Sequence, residues 1–221
     1  MNPFRALFSS LIVISLTFTN VTCFRPDPRV GQASILVGSN LYFFGGNTYN
    51  PRIFTKPNGD KLSYYYNDSN IFDTKTMRWS TLTLTNTPLS RVSYSAVLKG
   101  NLIFYIGGDS DSGSTFNINE ILVFDTVNLK WLFKTTRGDP IGSRSRHSAV
   151  LTQGGLILIY GGAGPNGTQV QPDLATLDVS VTPYTWKVII IDNAPPPLMY
   201  HSATLHGIYM IIAFGNYNAL N

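Results

Sequence analysis

The stretch that decides the fold runs from Arg91 to Trp131 and reads RVSYSAVLKGNLIFYIGG, DSDSGSTFNINE, ILVFDTVNLKW. Two apolar runs end in Gly107-Gly108, a polar loop follows, and a third apolar run ends in Asp125, six residues before Trp131. Turn-forming residues separate the runs. This order predicts four β-strands, at residues 94–98, 102–106, 121–124 and 130–133.

The same landmarks recur on both sides of this stretch. The first glycine of each pair lies at Gly45, Gly107 and Gly161, with a lone Gly215 in the last copy, so the intervals are 62, 54 and 54 residues. A period of about 50 residues predicts a propeller or array of similar units, none of which can bury its apolar faces alone. The repeats span residues 29–88, 91–140, 144–195 and, in part, 198–221.

The second apolar run of each repeat is continuous rather than alternating. These runs lie at residues 41–44, 102–106, 156–160 and 208–214. Continuous runs predict strands that are buried on both faces, as in a sheet held between two neighbouring sheets. Charged residues make up 13% of the chain and Glu120 is its only glutamate, so exposed helices are not expected. We therefore predict an all-β fold.

The chain resembles the kelch-repeat family over residues 25–221. The resemblance rests on His147-Ser148-Ala149 and His201-Ser202-Ala203, on the paired glycines, and on aspartates that a tryptophan follows six residues later. It implies a β-propeller of four-stranded blades, of which this chain would contain three and half of a fourth. The expected structural residues are Gly45, Gly46, Gly107, Gly108, Gly161, Gly162, Asp73, Asp125, Trp79, Trp131 and Trp186.

Three departures from the family pattern blur the first and last repeats. Gly215-Asn216 replaces the last glycine pair, and Gln32-Ala33-Ser34 replaces His-Ser-Ala in the first repeat. Eight residues rather than six separate Asp178 from Trp186. The fold expectation is unaffected by these changes.

The first 23 residues differ in composition from the rest. They contain one basic residue, Arg5, an apolar run of 12 residues at 7–18, and then Val21-Thr22-Cys23. We predict a secretory signal peptide at residues 1–23, a propeller at 24–221 and a secreted or cell-surface location. A membrane anchor is the alternative, but the run is short for a span of about 20 residues. Cys23 is the only cysteine, so the mature chain is expected to be held by packing.

The loops carry the candidate binding and modification residues. About ten extra residues between the second and third strands of the first repeat bring basic residues beside aromatic ones, and recognition surfaces are rich in such pairs. The alternative is a tolerated surface insertion in which the tyrosines extend a strand. The resemblance places this loop and the loops at 109–117 and 163–173 on one face. The candidate binding residues are Arg52, Lys56, Tyr64, Tyr65, Tyr66, Asp109 and Asp111, and the candidate N-glycosylation sites are Asn67 and Asn166.

Charge and residue types bear on function as well. The formal net charge is +4, with lysines and arginines scattered, so we expect no nucleic-acid partner.

Kelch-type propellers also form the scaffold of galactose oxidase, but the mature chain lacks an internal cysteine for its thioether. His147 and His201 occupy a repeated position, which favours a structural role, and His206 lies in a predicted turn. No metal or other cofactor is expected.

We therefore predict a non-catalytic binding module that recognises a protein or a glycan through its loops. Two alternatives remain: the first part of a galactose-oxidase-like carbohydrate oxidase, or the outer domain of a membrane protein whose span lies beyond Asn221. Three and a half blades would leave apolar surface open. A fragment of a longer chain is the explanation we favour, ahead of ring completion by a second copy or an open array.

Overall fold

A computed structural model describes residues 26–49, 63–192 and 195–217 of the chain. The predicted signal peptide and two of the candidate binding residues, Arg52 and Lys56, lie outside the described residues. The regular secondary structure of the described part consists of strands and one turn of 3-10 helix at Pro165–Gly167. None of its helical segments is long and apolar enough to span a membrane.

The described residues form 18 strands. In chain order they are β1 (Ser34–Val37), β2 (Asn40–Phe44), β3 (Asn47–Tyr49), β4 (Ser63–Tyr65), β5 (Ser69–Asp73), β6 (Arg78–Leu82), β7 (Ser95–Lys99), β8 (Leu102–Ile106), β9 (Glu120–Asp125), β10 (Lys130–Gly138), β11 (Ser148–Leu151), β12 (Ile157–Tyr160), β13 (Leu174–Asp178), β14 (Tyr184–Val188), β15 (Leu198–Met199), β16 (Ser202–His206), β17 (Tyr209–Ala213) and β18 (Asn216–Tyr217).

The first three repeats each form a four-stranded antiparallel sheet. The strand orders are β1-β2-β5-β6, β7-β8-β9-β10 and β11-β12-β13-β14. In the second repeat the four strands expected from the sequence are confirmed to within two residues, except that β10 continues to Gly138. Strands β3 and β4 of the first repeat, and β15 and β18 of the last, form two further two-stranded antiparallel sheets.

The extra length of β10 joins the second and third sheets. Residues 136–138 pair in parallel with residues 184–186 of β14. Gly138 has a φ of 99°, and a Cβ at this position would collide with the Trp186 carbonyl oxygen. The sequence did not predict this pairing, because it depends on a contact between residues almost 50 positions apart.

The fourth repeat corrects one expectation. Its strands β16 and β17 form a two-stranded sheet, and the apolar run at 208–214 is not buried on both faces. Ile208 is 80% exposed and Phe214 is 78% exposed, because no described strand covers this hairpin on its outer side.

The core lies between the sheets rather than within any one of them. One cluster joins the second and third repeats and includes Phe104, Ile157 and Trp186. A second cluster joins the first and second repeats, where Trp131 packs its ring 4.6 Å from that of Phe44. Each sheet therefore depends on its neighbour for burial, as the repeat pattern predicts.

The first strands of successive repeats lie side by side. Strand β1 contacts β7, β7 contacts β11, and β11 contacts β16. The four first strands thus gather around a common axis while later strands of each sheet lie farther out. This is the arrangement of consecutive propeller blades.

An aspartate ends the third strand of each complete sheet and caps the turn that follows. Asp73 Oδ1 accepts from the Lys75 amide at 2.8 Å, Asp125 Oδ1 from the Val127 amide at 3.0 Å, and Asp178 Oδ1 from the Ser180 amide at 2.8 Å. The Asn128 side-chain amide is the chief cause of a lowered pKa at Asp125. These exposed carboxylates therefore serve the turns.

Candidate functional site

A cavity of about 650 Å³ opens where the four repeats meet. Every repeat contributes to its lining, at the end of the sheets where β1, β7, β11 and β16 begin. The third residue of each repeat lines it; these four residues, Gly31, Ser93, Arg146 and Tyr200, are the rim residues. The cavity is within the usual size range of ligand pockets.

The rim residues share one backbone conformation although their side chains differ. Their φ angles are 71°, 55°, 59° and 58° in chain order. The left-handed region costs a side-chain-bearing residue about 1–2 kcal/mol, and only Gly31 avoids that cost. Ser93, Arg146 and Tyr200 are therefore held in a conformation that their own preferences do not favour.

Backbone hydrogen bonds connect the rim residues from repeat to repeat. The Ser93 amide donates to the Gly31 carbonyl at 2.6 Å, the Arg146 amide to the Ser93 carbonyl at 2.8 Å, and the Tyr200 amide to the Arg146 carbonyl at 3.0 Å. We call this series the rim ladder. It fixes the strained conformation and sets the spacing of the rim side chains around the axis.

The glycine pairs allow the chain to pass closely behind the rim. The residue before each rim residue bridges to the residue after the glycine pair, as in Val92 with Asp109 and Ser145 with Ala163. A Cβ on Gly108 would lie 2.7 Å from the Val92 carbonyl oxygen. A Cβ on Gly162 would lie 2.6 Å from the Ser145 carbonyl oxygen. The lack of space for a Cβ, together with the positive φ, thus requires glycine at the second position of the pair.

The arginine that opens each of the first three repeats braces the first glycine of the pair. Arg29 Nη1 donates to the Gly45 carbonyl at 3.1 Å, and Arg144 Nη1 donates to the Gly161 carbonyl at 2.9 Å. Arg91 Nη1 makes the same bond to the Gly107 carbonyl. We call these three residues the brace arginines; they stabilise the turn that positions the rim.

Among the described residues that line the cavity, Arg146 is the one cation. Its Nη2 lies 3.2 Å from Asp109 Oδ2, and its guanidinium lies 5.4 Å from the centre of the Tyr200 ring. Thr115 Oγ1 donates to the other oxygen of Asp109 at 2.9 Å. Arg146 Nε has no hydrogen-bond partner among the described residues. The side chain as a whole is 24% exposed, so the part of the guanidinium that faces the cavity can donate to a further anionic or carbonyl partner.

Two histidines form part of the cavity lining. His147 is buried, and neither of its ring nitrogens has a hydrogen-bond partner within the described chain. Burial lowers the pKa of His147 to about 3, and the positive charge of Arg144 adds to the effect. His201 bonds to Ser148 Oγ at 2.7 Å, and burial lowers its pKa as well. Both imidazoles are therefore neutral at physiological pH.

Tyr94 closes the cavity lining towards the first repeat. Its hydroxyl donates to the Phe44 carbonyl at 2.5 Å and accepts from the Ala33 amide at 3.2 Å. Burial raises the pKa of Tyr94 to about 12. This side chain ties two blades together and has no free hydrogen-bonding capacity to spare for proton transfer.

The structure separates the tyrosines that the sequence grouped. Tyr65 lines the cavity, whereas Tyr64 is 54% exposed and packs edge-on against Tyr66, with 4.8 Å between ring centres. Tyr66 lies 3.6 Å beneath the guanidinium of Arg29 and donates to Asp27 Oδ2 at 3.0 Å. Tyr64 and Tyr65 also extend strand β4, as the alternative interpretation expected.

The other candidate residues fall in different places. Asp109 lines the cavity, whereas Asp111 is exposed in the loop beyond it. Asn67 is exposed between β4 and β5, and Asn166 lies in the turn of 3-10 helix. No group of three or more His, Cys, Asp or Glu side chains in the described residues is placed to hold a metal ion.

Sequence reasoning missed Arg146 and Tyr200. The available indication was variation at one position of the repeat: Gly31, Ser93, Arg146 and Tyr200 are unlike one another, whereas the residues around them recur. Residues that contact a ligand are expected to vary from repeat to repeat, whereas residues that stabilise the fold are expected to recur.

The chain is similar in sequence to several known proteins. A family profile described as the KLHDC2/KLHL20/DRC7 Kelch-repeats domain matches residues 10–216. Kelch domain-containing protein 3 of Homo sapiens is 27% identical over 197 residues, which cover 85% of this chain and 48% of that protein. Acyl-CoA-binding domain-containing protein 5 of Arabidopsis thaliana is 25% identical over 199 residues, which cover 87% of this chain and 28% of that protein.

A solved structure of YjhT matches with a TM-score of 0.66 and 17% sequence identity. The match covers 85% of this chain and 59% of that one. At this identity the likeness shows the fold alone, and it confirms the all-β propeller architecture expected from the sequence. The chain spans about half the length, or less, of the curated relatives described above.

Proposed function

The chain belongs to the kelch-repeat family, and on this premise we propose that it binds a segment of a partner protein in the cavity that its repeats surround. Kelch-repeat domains generally mediate protein–protein interactions. The observation that carries the proposal is the rim: Ser93, Arg146 and Tyr200 place three different side chains on one strained, repeated backbone conformation. Strain of this kind concentrates at functional sites.

The chemistry of the cavity suits a segment with an acidic group beside an apolar or aromatic one. Arg146 supplies donors that a carboxylate binds in parallel pairs. The ring of Tyr200 is 61% exposed, and Tyr65 presents a second ring to the cavity. Asp109 holds Arg146 in place and must share it with the ligand, so partners without a negative charge or a strong acceptor are disfavoured.

Affinity capture with matched arginine variants tests this proposal. The protein and its Arg146→Gln and Arg137→Gln variants are immobilised, and bound proteins are identified by mass spectrometry. Arg137 is an exposed arginine on β10, away from the cavity, and serves as the control. A partner should bind the unmodified protein and the Arg137 variant, and binding to the Arg146 variant should fall about tenfold or more. Equal capture by all three folded proteins would contradict the proposal.

A glycan is the second candidate ligand. The exposed face of Tyr200 and the ring of Tyr65 offer flat surfaces with polar groups nearby, which suit a sugar ring. A glycan array probed with the same three proteins and with Tyr200→Ser would identify this function. Binding that depends on Tyr200 but not on Arg146 would favour a glycan over an acidic protein segment.

Export from the cell is part of the proposal. It rests on the composition of residues 1–23 and on the exposed side chain of Asn67 in an acceptor tripeptide. Expression in a secreting host, followed by intact-mass measurement of the medium, tests it. We expect a chain that begins near residue 24 and carries glycan that Asn67→Gln removes in part. Retention of residues 1–23 in an intracellular product would contradict the export step.

A further inference from the structure

We propose that Arg91 and the small pocket in front of it form a second binding site, which takes a carboxylate attached to an apolar group of a partner protein. This site does not line the rim cavity, so it goes beyond the function proposed above. It lies between the segment that leads into Arg91 and the loop that precedes β9.

The argument begins with a comparison of the three brace arginines. Beyond its bond to Gly45, Arg29 is paired through both Nη atoms with the carboxylate of Asp68. Arg144 donates from Nε to the Gly142 carbonyl at 3.1 Å and from Nη2 to the Pro172 carbonyl at 2.7 Å. These two guanidinium groups therefore have partners beyond the glycine carbonyl.

Arg91 lacks such partners among the described residues. Its one hydrogen bond there is from Nη1 to the Gly107 carbonyl, and Nε is buried without a partner. The residue is only 5% exposed, yet no described carboxylate forms an ion pair with it. Burying a guanidinium without a counter-charge is costly, and a bound anion would remove that cost.

Burial lowers the pKa of Arg91 to about 10. The group therefore still carries its charge at neutral pH. Its plane is fixed, because the Phe116 ring lies 3.7 Å from the guanidinium carbon. A charged, immobilised guanidinium with unused donors is a prepared site for a carboxylate.

The pocket next to this group has a volume of about 220 Å³. Apart from Arg91, its lining consists of Pro88, Leu89, Phe116, Asn117, Glu120 and Phe133. Leu89 is 73% exposed and Phe133 is 65% exposed. These two side chains offer apolar contact area at the mouth of the pocket, which explains why the ligand should carry an apolar group beside its carboxylate.

Glu120 restricts which anions fit. Its carboxylate is exposed at the wall of the pocket and stabilises the charge of Arg91 from beyond ion-pair distance. A second negative charge on the ligand would meet repulsion from Glu120, so a doubly charged phosphate is disfavoured relative to a single carboxylate. Replacing Glu120 with glutamine should therefore strengthen binding.

The test observes the arginine Nε–H resonances of the whole protein by NMR during titration with N-acetyl-leucine. Its carboxylate imitates the C-terminus of a protein chain. The Arg91 resonance should shift in a saturable manner, while those of Arg29 and Arg144 stay in place. Uncharged N-acetyl-leucinamide should cause no such shift. The amide-capped dipeptide Ac-Leu-Asp-NH2 distinguishes an acidic side chain from a chain terminus as the preferred source of the carboxylate.

Variants at the pocket wall complete the test without disturbing the brace. Glu120→Gln should tighten binding severalfold, and Phe133→Ser should weaken it severalfold. Val127→Ser changes an equally exposed apolar residue of the same repeat outside the pocket, and it should have no effect. The proposal is overturned if neither carboxylate probe shifts Arg91, if the neutral amide shifts it equally, or if Glu120→Gln weakens binding.

Discussion

The third and fourth repeats carry the same sequence pattern in different surroundings. Each has His-Ser-Ala, then an apolar run that ends at a glycine, and each forms the same hairpin of first and second strands. Ile157 and Ile211 both lie four residues before that glycine. Ile157 is 0% exposed and Ile211 is 50% exposed. The hairpin is thus a local property of the repeat, whereas burial depends on the neighbouring sheet.

The difference arises on the outer edge of the second strand. Strand β12 is paired on one side with β11 and on the other with β13, and its side chains join the core shared with the second repeat. Strand β17 is paired with β16, and among the described residues no strand lies on its other edge. An equivalent substitution in the two repeats should therefore have unequal effects.

Alanine at the two matched isoleucines gives the largest expected difference. Ile157→Ala should lower the free energy of unfolding by about 3 kcal/mol, because it leaves a cavity in a closed core. Ile211→Ala should lower it by less than about 1 kcal/mol, because half of that side chain already contacts water. Denaturant unfolding of both variants measures this difference. Equal losses would show that the fourth repeat is covered in solution.

The matched histidines give a smaller, pH-dependent difference. The unfolded chain protonates His147 near pH 6.5, whereas the folded protein protonates it only near pH 3. Between these values the unfolded state binds more protons, so this residue should lower the free energy of unfolding by about 1.4 kcal/mol for each pH unit below 6.5. His147→Gln should remove most of that slope.

His201→Gln is the matched control for this measurement. The pKa of His201 is also lowered by burial, but its Nε2 already has Ser148 as a partner. Its substitution should therefore change the slope less than that of His147. Urea titrations at pH 7, 6 and 5 compare the variants. The prediction would be contradicted if the free energy of unfolding depended more steeply on pH in His147→Gln than in the unmodified protein. It would also be contradicted if His201→Gln changed this slope more than His147→Gln does.

The smallest expected effect on stability concerns the first repeat, where the brace arginine Arg29 is paired with Asp68. Burial raises the pKa of Asp68, but the hydrogen bonds from Arg29 and Asn70 outweigh it and leave the pKa below its ordinary value. Asp68 therefore stabilises the fold above about pH 4, and this contribution is lost as pH falls through the lowered pKa.

Asp68→Asn should cost about 1–2 kcal/mol at pH 7, a discounted value because the side chain of Asp68 is 31% exposed. The cost should shrink as the pH approaches 3, because the carboxylate of the unfolded chain takes up its proton first, while the lowered pKa keeps that of the folded protein charged for longer. Asp111→Asn, an exposed control, should change stability by less than about 0.5 kcal/mol. Thermal unfolding at both pH values provides the comparison, and a cost that is the same at pH 7 and pH 3 would contradict the ion-pair explanation.

The repeated parts of the molecule were predictable, because their chemistry is local. Glycine pairs, strand-ending aspartates and apolar runs leave marks in the sequence at fixed intervals, and these gave the strands and the fold. The extension of β10 and the exposure of Phe214 were not predictable, since both depend on which sheet lies alongside. Arg146 escaped notice because its role depends on a backbone conformation that neither its residue type nor its spacing indicates.

The rim ladder is built from main-chain atoms alone. The atoms that join neighbouring blades at the axis are therefore separate from the atoms that meet a ligand, although both belong to the same residues. Selection can exchange the side chains at positions 93, 146 and 200 while leaving the connection between blades unchanged. A combinatorial library at these three positions should yield many binding specificities on a scaffold of nearly constant stability, which makes this end of the propeller a natural platform for diversification.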